Sequence, residues 1–318
     1  MKVIFTGTTP FAVPSLEAVI ASAHELLAVV TQPDKPRGRG REMRMSPVKE
    51  IALAHSIPVI QPDNIGDPGS AAEITGCGAL GAMIVVAYGQ KIPPELLNWP
   101  KHGVINVHGS ILPKYRGAAP IQHAIIAGEK HTGVTTMLMD EGWDTGEMLL
   151  QEVIEIYPNE NAGELGERLA LLGAKLLIRT LEGLEAGTIN PIPQDEQLAS
   201  LARSLRRDAG VIDWSRAPND IVNLIRGCTP KPGAFAYLRG LQLKIWAAAV
   251  EVAGNNLGKP GQIIEIAKDG IVVAAGTGSV KLLDVQGESR RRMGASDFAR
   301  GAELSTADRF DPILQSAT

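Results

Sequence analysis

Residues 102–117, H-G-V-I-N-V-H-G-S-I-L-P-K-Y-R-G, decide how this chain is read. The apolar run Gly103–Val107 leads into a turn, and Asn106, His108 and Ser110 follow one another two residues apart. On a strand, residues two apart share a face. Asn106 and His108 are therefore expected side by side where a strand ends, which is where open α/β sheets hold their ligands. An amide donor beside an imidazole suits acyl transfer. The imidazole moves a proton and the amide stabilises a developing oxyanion. An unperturbed imidazole titrates at about 6.5, close to working pH.

Around this stretch, strand and helix signals alternate. Strands are expected over Lys2–Thr6, Glu25–Thr31, Ala82–Ala87, Gly103–Val107, Gly133–Met139 and Met148–Ile156. Helices are expected over Pro14–Ser22, Pro47–Ala54, Gly69–Cys77 and Ala118–Ala127. Apolar strands separated by helices imply βαβ units and a mostly parallel sheet. A longer helix, Ala162–Glu185, carries Leu165, Leu169, Leu172 and Leu176 at helical spacing and closes the first domain. The proline-rich, polar stretch Gly187–Gln197 starts a linker running to about Asp208. Beyond it the pattern changes to one short helix, Asn219–Arg226, and to short strands over Ala234–Leu238, Gln242–Val250, Gln262–Ile266, Ile271–Ala275 and Ser279–Val285. Glycine-containing turns separate these strands, as in a small barrel or sandwich.

Composition narrows the classes. The 318 residues are enough for two domains. No apolar run reaches the roughly 18 residues of a membrane span. MKVIFTG reads as a strand start rather than a secretory signal. Two distant cysteines without CxxC spacing fit a reducing, cytoplasmic setting and argue against a cysteine metal site. The six histidines form no HExxH or equivalent cluster, so no metal is expected. The net charge of −4 is uneven, with 18 Lys/Arg against 24 Asp/Glu in residues 1–208 and 13 against 11 in residues 209–318.

Local clusters say more than these totals. Asp34–Lys49, D-K-P-R-G-R-G-R-E-M-R-M-S-P-V-K, reads as a long loop carrying Lys35, Arg37, Arg39, Arg41, Arg44 and Lys49. Loops of about 16 residues inside a compact domain are uncommon and often functional. This one offers an electrostatic handle for phosphates. In the second half, Lys231, Arg239, Lys244 and Ser289–Met293 read in isolation as surface charge. A small barrel with basic residues is also a plausible RNA-binding module.

Asn106-x-His108 followed by Ser110–Gly117 resembles the signature N-x-H-x-S-L-L-P-x-x-x-G of the folate-dependent formyltransferases. Met139–Gly146, M-D-E-G-W-D-T-G, is similar to that family's M-D-x-G-x-D-T-G loop, with Trp143 where the family usually has leucine. Gly7–Ala12, the G-R-G…S-P-V-K run and Ile212–Pro232 with Phe298–Gly301 resemble the branch of the family that acts on methionyl-tRNA. Two departures are Pro10, one residue later than usual, and Lys231, where tryptophan is common.

The resemblance implies formyl transfer from 10-formyltetrahydrofolate to the α-amine of methionine on initiator tRNA, by a chain acting as a monomer. It implies Asn106, His108 and Asp144 as catalytic residues, with Asp144 orienting His108 and raising its basicity; Asp140 competes for that role. Ser110, Ile111, Leu112 and Pro113 are expected to contact the folate. Phe11 is expected to line the methionine pocket, and Arg37, Arg39, Arg41 and Arg44 to meet the tRNA, with Arg39 at the family's recognition arginine. The expected fold is α/β: a Rossmann-like, mostly parallel catalytic domain over residues 1–189, a linker over 190–208, and an OB-like C-terminal β-barrel over 209–318. Two alternatives remain: a folate-dependent transferase acting on a nucleotide-sugar amine, and, further off, a non-catalytic RNA-binding protein on this fold.

Overall fold

The structure, a computed structural model, describes residues 1–37, 42–253 and 258–311. In the first half the elements run β1 (Lys2–Gly7), α1 (Val13–Ala21), β2 (Glu25–Val30), β3 (Lys35–Arg37), β4 (Glu42–Arg44), α2 (Pro47–Ala54), β5 (Val59–Ile60), α3 (Pro68–Thr75), β6 (Ala82–Val86), α4 (Pro94–Leu97), β7 (Val104–His108), α5 (Pro120–Ile126), β8 (His131–Leu138), β9 (Met148–Glu155) and α6 (Ala162–Ala186). The second half holds α7 (Pro218–Cys228), β10 (Ala234–Leu238), β11 (Leu241–Ala253), β12 (Ile263–Ala267), β13 (Gly270–Ala275), β14 (Gly278–Gly287), β15 (Met293–Gly294) and α8 (Ala295–Gly301).

Seven strands form one sheet in the order β5-β2-β1-β6-β7-β8-β9. β2, β5, β6 and β7 pair in parallel, and β8 turns antiparallel beside β7. Every residue of β6 is buried, as expected for a central strand covered on both faces. Leu165, Leu169 and Leu176 of α6 are buried and Leu172 is half-buried, so the apolar stripe read from sequence is the helix's inner face. Thr180 of α6 meets Thr136 of β8 through their hydroxyls, 2.8 Å apart. Loops beyond the carboxyl ends of β1, β2 and β6 are stitched together, with Thr8 and Gln32 both donating to the Tyr88 carbonyl at 3.2 and 2.7 Å.

The remaining strands form an antiparallel sheet in the order β10-β11-β14-β13-β12, with β15 on β14. Its two outer edges meet the same short segment. Phe310 bridges to Leu238 at the end of β10, and Arg309 bridges to Gln262 just before β12. The backbone bonds Phe310 N–H to Gly261 O at 2.8 Å and Asp311 N–H to Tyr237 O at 2.8 Å tie both edges of the sheet to this segment. Phe310 is buried and its ring lies 4.9 Å from that of Trp214. Among the described residues no helix is long and apolar enough to cross a membrane.

The chain divides into two compact units that are not contiguous in sequence. One comprises Met1–Ala118, Thr132–Ile154 and Gly166–Ala202; the other comprises Ala119–His131, Glu155–Leu165 and Arg203–Thr318. α5 goes with the second unit because Ile126 packs on that unit's core.

Several elements differ from the sequence reading. Asp34–Lys49 is not one irregular loop. β3 and β4 pair with Lys35 opposite Arg44, and α2 begins at Pro47 with Ser46 accepting from the Lys49 N–H at 3.1 Å. Charged residues in both short strands hid the alternation. β7 starts one residue later than expected and ends one later, so His108 stands in the strand opposite Thr135. The short β5, α4, β15 and α8 gave too little periodicity to be read.

Phe310→Ala should destabilise the second unit by about 3–5 kcal/mol, the usual cost of emptying a buried phenylalanine site, measured by chemical denaturation. The Arg239 guanidinium, 2.7 Å from Asp308, holds that carboxyl below its usual 3.8. A carboxyl depressed by folding adds stability above its unfolded value and loses it as pH falls through the folded one. Asp308→Asn should therefore lower the melting temperature at neutral pH, and its difference from the parent should vanish as pH falls well below 3.8.

Candidate active site

β7 delivers Asn106 and His108 to one place, and the turn after β8 delivers Asp144 to meet them. Asn106 Nδ2 donates to Asp144 Oδ1 at 3.3 Å. His108 Nδ1 lies 3.6 Å from Asp144 Oδ2, a charge contact rather than a hydrogen bond. That same oxygen accepts from the Gly117 N–H at 2.8 Å. One carboxylate therefore faces three groups, two on the strand and one at the end of the turn that follows it. His108 Nε2 lies 3.0 Å from the Tyr115 carbonyl. A carbonyl only accepts, so Nε2 carries its proton and Nδ1 is the nitrogen free to gain or lose one. The His108 side chain is 6% exposed and that of Asp144 is 15% exposed.

Backbone conformation enforces this arrangement. Asp144 has φ +55°, in the left-handed region that non-glycine residues seldom enter. At Gly117 φ is +121°, and a Cβ there would stand 2.7 Å from the Ala202 carbonyl oxygen. Only glycine lets that N–H reach Asp144. Asp140 is occupied differently: Oδ1 accepts from Gly142 N–H at 2.9 Å and from the Thr145 hydroxyl at 2.7 Å, pinning the turn internally. Trp143 is 69% exposed, so its bulk lies in solvent.

The Ser110–Pro113 turn is held from below. Ser110 is buried and its hydroxyl donates to Lys114 O at 2.7 Å. Thr135 Oγ1 donates to Ser110 O at 2.7 Å and accepts from Leu112 N–H at 3.1 Å, while Gln151 Nε2 donates to Leu112 O at 2.9 Å. Leu112 is buried; Ile111 and Pro113 are half-buried. Phe11 is half-buried in the single turn Pro10–Ala12 that leads into α1.

Of the arginine-rich run, Arg39 and Arg41 lie outside the described residues, Arg37 ends β3 and Arg44 ends β4. Lys49 is engaged by Asp34 at 2.7 Å, which with Gln61 holds the Asp34 carboxyl below the usual range. In the second unit, charges read as surface groups also have partners: Arg239 pairs with Asp308, Arg292 pairs with Asp284, and Lys244 stands 5.4 Å over the Trp246 ring. A groove of about 600 Å³ there is lined by Arg206, Arg207, Phe235, Tyr237 and Gln242 among others. Sequence reasoning passed over Arg206 and Arg207 because they fell in the expected linker. It also missed Tyr115 and Arg116, which fill unspecified positions of the signature, and Gln194 and Ser200, which carry no motif. Among the described residues, no three His, Cys, Asp or Glu side chains gather as a metal-binding group.

The chain matches the formyl transferase family over residues 1–181 and that family's C-terminal domain over residues 204–303. It is 49% identical to a methionyl-tRNA formyltransferase of Solibacter usitatus over 98% of this chain and 98% of that one. It is also 49% identical to a methionyl-tRNA formyltransferase of Pelotomaculum thermopropionicum over 96% of each. A solved N-formyltransferase of Helicobacter canadensis, bound to folinic acid and dTDP-3-aminofucose, shares the fold at TM-score 0.68 and 19% identity, covering 89% of this chain and 99% of that chain. The chain belongs to the formyl transferase family and, within it, to the methionyl-tRNA formyltransferases.

Proposed function

We propose that this chain transfers a formyl group from 10-formyltetrahydrofolate to the α-amine of methionine on initiator tRNA. One observation carries the reading. A match at 49% identity over 98% of each chain to a methionyl-tRNA formyltransferase coincides with Asn106 and His108 converging on the Asp144 carboxylate. The residues suit such a donor: Asn106 keeps one amide N–H beyond the one given to Asp144, and His108 keeps Nδ1. When bound, the folate supplies an activated formyl carbon. The amine–carbon bond forms, the carbon–folate nitrogen bond breaks, the amine loses a proton and the folate nitrogen gains one. Asn106 stabilises negative charge on the formyl oxygen, His108 handles a proton through Nδ1, and Asp144 orients both. The Ser110–Pro113 turn meets the folate. Ser110 and Leu112 hold the turn's shape, and Ile111, Pro113 and the backbone provide the contacts. Phe11 lines the methionine pocket.

Residues 1–189 form the catalytic domain, 190–208 the linker and 209–318 the tRNA-binding barrel in this reading. Arg37, Arg39, Arg41 and Arg44 supply phosphate contacts. The groove at Arg206, Arg207, Phe235 and Tyr237 adds the charge and ring surface that RNA binding uses. The reading places a monomer in the cytoplasm, with no metal. The competing substrate, a nucleotide-sugar amine, is decided by assay. Labelled formyl-folate should formylate charged initiator tRNA and leave a nucleotide-sugar amine untouched; the reverse result overturns the reading.

Asn106→Ala, His108→Ala and Asp144→Ala should each lower kcat at least ~100-fold in folded protein, the lower scale of proton-transfer and oxyanion contributions. A folded His108→Ala enzyme with near-parental turnover would sink the assignment. Replacing Arg37, Arg39, Arg41 and Arg44 together by alanine should raise KM for tRNA and leave folate affinity unchanged. Each lost phosphate contact should flatten the slope of log K against log salt by roughly 0.7–0.9. Unchanged tRNA kinetics at two salt concentrations would remove the loop from the interface.

A further inference from the structure

The segment 192–202 reads from sequence as linker, yet it is laced across the turns that hold the candidate catalytic residues. Ile192 pairs with Met148 through backbone bonds of 2.8 and 2.9 Å. Gln194 Nε2 donates to the carbonyls of Asp144 and Gly146 at 2.8 and 2.7 Å. Its Oε1 accepts from Arg116 Nε at 2.9 Å. Carbonyls only accept and the Arg116 N–H only donates, so these partners fix which end of the amide faces which. Arg116, 5% exposed, is gripped in turn by both Glu196 oxygens at 2.8 and 2.9 Å. Farther along, Ser200 Oγ accepts from the Tyr115 N–H at 2.9 Å, and the Tyr115 carbonyl is the acceptor for His108.

These contacts bear on two backbone positions in the site that resist their conformation, Tyr115 at φ +61° and Asp144 at φ +55°. A left-handed aspartate persists only where its surroundings over-determine it. Asp144 is fixed at the carboxylate by Gly117 and at the carbonyl by Gln194. The Gln194 amide uses both its N–H groups and its oxygen, so no other side chain reproduces the set. Glutamate would face two carbonyls with negative charge, and asparagine is one methylene short.

We propose that Gln194 is a positioning residue for formyl transfer. It holds Asp144 at the angle from which the carboxylate meets Asn106 and His108, and Arg116 and Glu196 hold Gln194. The inference rests on the role given to Asp144 above.

The test is a double-mutant cycle on the full-length chain, with kcat and both KM values measured for Gln194→Ala, Asp144→Asn and the pair. Thermal melting confirms that each variant is folded. Gln194→Ala should lower kcat about tenfold or more and leave both KM values within about twofold, the pattern of an interaction needed only at the transition state. In the Asp144→Asn background the same change should cost less than about twofold, because residues acting through one another are not additive. Effects that multiply, or an unchanged kcat in Gln194→Ala, overturn the inference while leaving the role of Asp144 intact. Full activity in Asp144→Asn overturns both. If Gln194→Ala does not fold, Glu196→Ala at the exposed end of the chain of contacts replaces it. A smaller kcat loss with unchanged KM, abolished in the Asp144→Asn background, is then required; no kcat loss, or a loss that persists in that background, overturns the inference.

Discussion

The Asp144 carboxylate is the point on which the site turns. Asn106 and His108 project from one strand, Gly117 closes the turn after it, and Asp144 reaches all three from a left-handed residue past β8. Of these contacts only the Gly117 N–H bond, at 2.8 Å to a carboxylate, is short and charge-assisted; that of Asn106 is 3.3 Å long. The 3.6 Å approach of His108 exceeds hydrogen-bonding distance. In the proposed reaction their value lies in one carboxylate holding the amide and the imidazole in a fixed relation.

Much of the frame could be read from residues because its signals are local. β6 is an unbroken apolar run, α6 repeats leucine at helical spacing, and β10 is an apolar stretch bounded by glycines. Asn106 and His108 could be placed on one face from spacing alone. Asp144 needed family resemblance, since an aspartate between glycines otherwise reads as turn chemistry and Asp140 competed with it. The structure separates the two by what each carboxylate accepts. The tie of both sheet edges to Arg309–Phe310 was not legible, because bridges of one residue leave no pattern. Nor were Gln194 and Ser200, whose partners lie dozens of residues away in a stretch that looks like connector.

The same distinction explains the tolerance at Trp143. The turn is shaped by Asp140 bonding Gly142 and Thr145, and by Gln194 bonding two carbonyls. No side chain at position 143 takes part. The Trp143 ring is 69% exposed and makes none of these contacts.

The route of the 192–202 segment also sets how the molecule fails. Its residues lie mostly in the open, with Leu198 and Leu201 each more than 60% exposed, and it belongs to neither sheet. Peeling it back breaks hydrogen bonds, those of the Arg116–Glu196 pair among them, but uncovers little apolar surface, so it costs less than unfolding β1–β9. Heat, mild denaturant or a protease nick would free this strip first and leave the Asp144 turn without its clamp. With Gln194 positioning Asp144 as proposed, formyl transfer would stop while the spectroscopic signature still looked native.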